Sequence, residues 1–209
     1  MQQSSKTGTV IFLNGTSSSG KTTLALALQE LMSEPLQHIG LDQFRDGMPA
    51  RYRGLNSPIG TTGQLGLNVV PVQVESGEVF TEVRFGEDGQ RLLRGMRRAI
   101  ATMAAEGINI VIDDIIMSPD FLKDYLDVMF ASHLYFVGVK CPLAVIASRE
   151  SKRPGRFPGT AESHFDICHA HGLYDVEVDT SAFPPEKCAQ QVLDRIAAGP
   201  PEAFKLLRQ

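Results

Sequence analysis

"TVIFLNGTSSSGKTT" (residues 9–23) is the stretch on which the fold turns. Its first part, Thr9 to Asn14, is a β-branched and apolar run ending at a glycine, which predicts a buried strand. From Gly15 the residues fit the pattern G-x-x-x-x-G-K-[ST]. From Lys21 to Met32, "KTTLALALQELM" sets Leu24, Leu28 and Leu31 at helical spacing. Strand, glycine loop and helix in that order are what a phosphate-binding loop requires. Glycines at positions 15 and 20 let the backbone turn tightly and approach a phosphate without a clashing side chain. The main-chain N–H groups of Gly15, Thr16, Ser17, Ser18, Ser19 and Gly20 can then point inward as a cradle. The helix N-terminus at Lys21, Thr22 and Thr23 adds partial positive charge. Lys21 is expected to reach the β- and γ-phosphates of ATP, and Thr22 to ligate Mg²⁺.

Outward from this loop, four further runs read as strands. They are "LQHIGLD", ending near Asp42; "GINIVI" from Gly107 to Ile112; "HLYFVGVK"; and "YDVEVDT". Helical patterns separate them over residues 88–105, 119–131, 142–152 and 185–197. Alternating strands and helices predict an α/β protein with a mostly parallel sheet covered on both faces. Residues 47–86 break the rhythm with many glycines and prolines. Within them, "VVPVQVESGEVFTEVRF" has two extended runs about a polar "ESGE" turn, which predicts a hairpin. An insertion there would lie over the carboxyl edge of the sheet, where ligands bind in open α/β folds.

Three groups outside the loop carry chemistry. Asp113 and Asp114 follow the third strand, and a carboxylate there can orient Mg²⁺ through water. Strand alternation lets only one face the nucleotide; Asp113, which directly ends the apolar run, is the expected one. Asp42 follows the second strand and is the expected base, accepting the proton of an acceptor hydroxyl. It could also cap a short helix over "QFRDGM". In "RESKRPGR", Arg149, Arg153 and Arg156 can neutralise charge on a transferring phosphoryl group. Pro154 and Gly155 end the helix, which places Arg153 and Arg156 on an expected lid over residues 149–170. Arg149 is expected at the nucleotide, or else as a cation at a helix C-terminus.

Composition narrows the classes. The chain has 209 residues, enough for one domain, with 43% hydrophobic and 21% charged residues, ordinary for a globular protein with a core. A net charge of -4 gives no basic field for nucleic acid or anionic lipid. Cys141, Cys168 and Cys188 are widely spaced, so neither a disulfide framework nor a four-cysteine zinc site is implied. The apolar run near the N-terminus is too short for a signal peptide, and a cytoplasmic protein is expected. "CHAHG" brings Cys168, His169 and His171 together, a poor geometry for tetrahedral zinc. The C-terminal "PPEAFKLLRQ" could dock on the core or on a second subunit.

Together, "VIFLNGTSSSGKTT", "GLDQF", "INIVIDDI", "VGVKCPLAVIASRESKRPGR" and "HAHGLYDVEVDTS" resemble the chloramphenicol phosphotransferase-like family of small P-loop kinases, in that order and over about residues 9–197. The resemblance implies a three-layer P-loop fold with a five-stranded parallel sheet, similar to adenylate and shikimate kinases. It implies ATP-dependent phosphorylation of a small-molecule hydroxyl, such as an antibiotic phosphorylated as chloramphenicol is at its 3-hydroxyl. It also implies that Asp42 is the base, that Arg153 and Arg156 lie on the lid, and that a histidine near His169 has a substrate- or lid-related role. "PARYRGLNSPIGTTGQLGLN" departs from the antibiotic kinase on the substrate side. Two rival readings stand beside this one. One is a metabolic kinase of a nucleoside, adenylylsulfate or shikimate-like substrate. The other is a nucleotide-dependent regulatory protein, which would need Lys21 and Mg²⁺ but no base at an acceptor hydroxyl.

Overall fold

Residues 7–73, 79–130, 133–152 and 159–209 are described by the computed structural model. Their centre is β1 (Thr9–Asn14), flanked by β6 (Asn109–Asp114) and β7 (His133–Lys140). β2 (Leu36–Gly40) lies beyond β6 and β8 (Val176–Asp179) beyond β7, giving a five-stranded sheet in the order β2-β6-β1-β7-β8. All its pairings are parallel.

Val10, Ile11, Phe12 and Leu13 are all fully buried, which is why β1 reads as a continuous apolar run. Alternate residues serve opposite faces. Val10 and Phe12 pack with Leu93, Met96 and Ile100 of α4 (Glu87–Ala105) and with Leu122 and Tyr125 of α5 (Pro119–Val128). Ile11 and Leu13 pack with Leu24 and Leu28 of α1 (Lys21–Leu31) and with Cys188 and Val192 of α8 (Pro185–Ala197). Each such side chain contributes roughly 1.5–3 kcal/mol by leaving water. Helices on both faces of a central sheet make the three-layer α/β architecture.

Several boundaries differ from expectation. The second strand stops at Gly40, because α2 (Leu41–Asp46) starts there with Gly40 as its N-cap. Asp42 is therefore inside the first turn of α2 and does not cap it. The third strand runs past Ile112 and takes in both Asp113 and Asp114. The helix expected over 119–131 ends at Val128, and residues 131–132 lie outside those described.

The stretch after α2 forms its own small sheet. β3 (Arg53–Leu55), β4 (Leu67–Gln73) and β5 (Val79–Phe85) pair in that order, with α3 (Thr62–Leu65) between β3 and β4. β4 and β5 are antiparallel from Leu67 opposite Phe85 to Gln73 opposite Val79; the "ESGE" turn falls outside the described residues. The Asn68 side chain holds the start of the α3 loop, accepting from the Ser57 N–H (3.0 Å) and donating to the Ser57 carbonyl (3.1 Å).

The C-terminal tail docks on the core of its own chain. α9 (Ala203–Leu206) buries Phe204, 4% exposed, whose ring meets Phe12 and Phe136 at 6.2 and 5.1 Å. The Asp175 carboxylate fixes the tail's approach by accepting from the N–H groups of Glu202 (2.7 Å) and Ala203 (3.1 Å). Among the described residues no helix is long and apolar enough to cross a membrane.

Candidate active site

The loop between β1 and α1 ends at Gly20, whose φ of 100° is a conformation that favours glycine. Gly15 is equally constrained, since a Cβ there would lie 2.6 Å from the Val139 carbonyl oxygen. Thr16, Ser17, Ser18 and Ser19 are buried, and the Ser18 and Ser19 hydroxyls have no hydrogen-bond partner. Buried hydroxyls without partners are costly, and here they sit in a cradle of the kind that anions fill. Lys21 is 7% exposed and donates from Nζ to the Gly15 and Thr16 carbonyls at 2.8 and 3.0 Å. Thr22 and Thr23 begin α1 on its exposed side, within the same cleft.

The register of β6 against β1 separates the two aspartates. Asp113 lies opposite Leu13 and Asp114 opposite Asn14, so they take the two faces of the sheet in turn. Asp113 comes to the loop: its Oδ2 accepts from the Thr22 hydroxyl at 2.5 Å and its Oδ1 is 3.8 Å from Lys21 Nζ. Burial alone would raise its pKa, but Lys21, followed by His38 and Thr22, brings the carboxyl below its ordinary range. Asp113 therefore stays ionised. A hydroxyl and a carboxylate side by side are oxygen donors suited to a hard divalent cation. Asp114 is 1% exposed on the other face. It accepts from the Tyr125 hydroxyl (2.6 Å) and the Ile115 N–H (2.7 Å), and burial raises its pKa. It anchors α5 to the sheet.

Asp42 shares a cleft of about 940 Å³ with Lys21, Thr22, Asp113 and Arg149. Its Oδ1 accepts from Arg45 Nη1 at 2.7 Å, and its side chain is 49% exposed, which keeps it accessible to a ligand. Arg149, on α6 (Leu143–Glu150), bridges two loops. Its guanidinium donates to the Thr180 hydroxyl (3.0 Å) and carbonyl (2.8 Å) and lies 3.4 Å from the Ser19 carbonyl. It thus straps the phosphate loop to the turn after β8. Phe183, Pro184 and Pro185 give the cleft an apolar part of its lining. Arg153 and Arg156 lie outside the described residues.

Some residues of the site were not singled out from sequence. His38 lines the cleft, and its Nε2 lies 3.8 Å from Asp113 Oδ2, beyond hydrogen-bond length. Its signal was available in β2, where alternation puts it on the same side as Gly40. Asn14, fully buried, joins three segments: its amide donates to the Tyr174 hydroxyl (2.7 Å) and Cys168 carbonyl (2.6 Å), and its oxygen accepts from the Ile116 N–H (2.9 Å). His169 Nδ1 is 2.5 Å from the same Tyr174 hydroxyl. His169 therefore belongs to this buried network beside the phosphate loop.

The chain is similar to proteins named as phosphotransferases, and its fold to solved kinases. Two Mycobacterium tuberculosis proteins, from strains CDC 1551 and H37Rv, each bearing the name "Putative O-phosphotransferase", are 35% identical over 205 residues, covering 97% of this chain and 88% of theirs. A sugar kinase from Janibacter sp. HTCC2649 superposes with a TM-score of 0.61 at 21% identity, over 91% of this chain and 95% of its own. The Mycobacterium tuberculosis APS kinase CysC, solved with AMPPNP and APS, gives 0.62 at 15% identity, over 91% and 98%. These two structures share the fold. The profile of the chloramphenicol phosphotransferase-like proteins matches residues 8–197, nearly the whole chain, and the protein belongs to that family of kinase-type enzymes.

Proposed function

We propose that the protein transfers the γ-phosphoryl group of ATP to a hydroxyl of a small molecule, with Mg²⁺. The observation that carries this reading is the division of carboxylates within one cleft. Asp113 is tied to Thr22 and Lys21 at the phosphate loop, while Asp42 stands on α2, paired with Arg45. A protein that only sensed nucleotide would need the first carboxylate and not the second.

In this reading the loop amides and the α1 N-terminus bind the β- and γ-phosphates. Lys21 leaves the Gly15 and Thr16 carbonyls for phosphate oxygens. Thr22 and Asp113 would hold Mg²⁺, which when bound would offset charge on the transferring group. Asp42 orients the acceptor hydroxyl and takes its proton as the phosphoryl group departs from ADP. Arg153 and Arg156 meet the charge that develops on the transferred group. The apolar lining at Phe183 and Pro184 suits the nucleobase. The β3-β4-β5 sheet covers the acceptor side, and the chain is one domain with this sheet as its insertion and residues 149–170 as its lid.

The acceptor class that fits the family is a hydroxylated antibiotic. The test is a mass-spectrometric screen of hydroxylated antibiotics and metabolites incubated with ATP, Mg²⁺ and the protein. A phosphate adduct on an antibiotic supports this reading. An adduct confined to a sugar, nucleoside or adenylylsulfate moves the protein to metabolism, and nucleotide binding with no adduct on any alcohol favours a regulatory role.

A further inference from the structure

The segment after residue 158 is fastened to more of the molecule than its length suggests. Glu150, the last residue of α6, is 7% exposed. Its Oε2 accepts from the Gly159 N–H and its Oε1 from the Ala161 N–H, both at 2.9 Å. A buried carboxylate bonded by two main-chain amides is a strong and directional clamp. It fixes the start of α7 (Thr160–Ser163).

α7 touches two parts of the molecule that are far apart in sequence. On one side the Thr16 hydroxyl, on a residue 1% exposed, donates to the Ala161 carbonyl at 2.6 Å. On the other side Gly159, with φ of 78°, lies against β5: a Cβ there would come within 2.9 Å of the Phe80 Cα. Thr16 is also the residue whose carbonyl accepts from Lys21 Nζ. Phe80, Gly159, Ala161, Thr16 and Lys21 thus form a continuous line of contacts from the insertion sheet to the phosphate loop. Packed contacts of this kind transmit displacement because interiors are dense and hardly compressible.

We infer that Thr16 and Glu150 are positioning residues that make α7 a strut between the phosphate loop and the insertion sheet. The inference rests on the phosphate loop holding a nucleotide. When phosphate draws Lys21 off the Thr16 carbonyl, Thr16 re-seats, and its hydroxyl carries α7 and hence β5. Nucleotide on the loop is then felt on the acceptor side before any acceptor arrives.

The test is hydrogen exchange at residues 79–85, with ADP and Mg²⁺ as the probe and calorimetry reporting occupancy. In the wild type, saturating ADP should slow exchange there by about fivefold or more, the lower end of usual coupling between sites. Glu150→Gln keeps the shape but leaves one of the two amides without its acceptor. It should bind ADP near the wild-type affinity and lose the slowing. Thr16→Val, which lacks the donor, should lose the slowing at saturation, and Thr16→Ser should restore it. Slowing that persists in saturated Glu150→Gln and Thr16→Val would overturn the strut, as would its absence in the saturated wild type. Failure of the wild type to bind ADP at all, read by calorimetry alone, would instead overturn the nucleotide reading beneath it.

Discussion

The Lys21 ammonium rests on two carbonyls of its own loop and lies 3.8 Å from Asp113. These partners hold it at the mouth of the cradle, so that phosphate oxygens replace bonds already made and a buried charge is never left unpaired. Lys21→Ala should abolish phosphoryl transfer and weaken ATP binding, as read by isothermal calorimetry and a coupled assay; near-normal turnover would remove the phosphate-loop reading. Asp42 makes a sharper distinction. Gly40 caps α2, so what Asp42→Asn takes from the fold is a charge in the first helical turn and the half-exposed pairing with Arg45, each worth about 1 kcal/mol or less. The melting temperature should change little and nucleotide should still bind. Transfer should fall by ~10² to 10⁴, the usual contribution of a positioned base. If nucleotide affinity collapses with transfer, Asp42 belongs instead with Asp113 at the cation.

At the scale of elements, most of the sheet could be read from periodicity. The central strands come from short, continuous apolar runs buried on both faces, and the helices between them from apolar residues repeating every third and fourth position. β1 and β7 carry the bounds expected of them. What periodicity could not supply was tertiary. Glu150 looks like an ordinary charge at a helix end, and only the fold reveals that it is buried under Gly159 and Ala161. Asn14 looks like the end of a strand, and its three partners lie more than a hundred residues away. The boundary at Gly40 escaped because α2 is six residues long, too short for a helical period to show. The tail could have met this core or another chain, and the pattern of "AFKLL" is the same for both. Its docking gives a stability prediction: Phe204→Ala should cost about 3–5 kcal/mol, the usual penalty for an aromatic in a core. Urea unfolding measures it, and a loss within about 0.5 kcal/mol, the range of surface substitutions, would mean that the tail is only loosely seated.

The whole molecule carries a pH dependence set by its histidines. Burial lowers the pKa of His164 and His171, and burial followed by Lys140, His171 and Lys21 brings His169 down to about 4. The folded state keeps these rings neutral where the unfolded chain, with an ordinary value near 6.5, takes up protons. Stability conferred this way is complete above about pH 6.5 and declines as pH falls toward the lowered values. Urea midpoints should therefore drop between about pH 7.5 and 5, and His169→Asn should flatten part of that slope. An unchanged slope would place His169 outside the linkage.

Phosphoryl transfer joins the scales, since it needs the loop, the Asp42 carboxylate and the cleft that holds both at once. The most direct measurement follows labelled γ-phosphate from ATP in the presence of a panel of hydroxylated antibiotics and metabolites, with water as the competing acceptor. The account predicts label on at least one alcohol, with ATP consumption rising when that alcohol is added and both effects lost in Asp42→Asn. Label appearing only as inorganic phosphate, at a rate that no alcohol changes, while nucleotide binds normally, would contradict it.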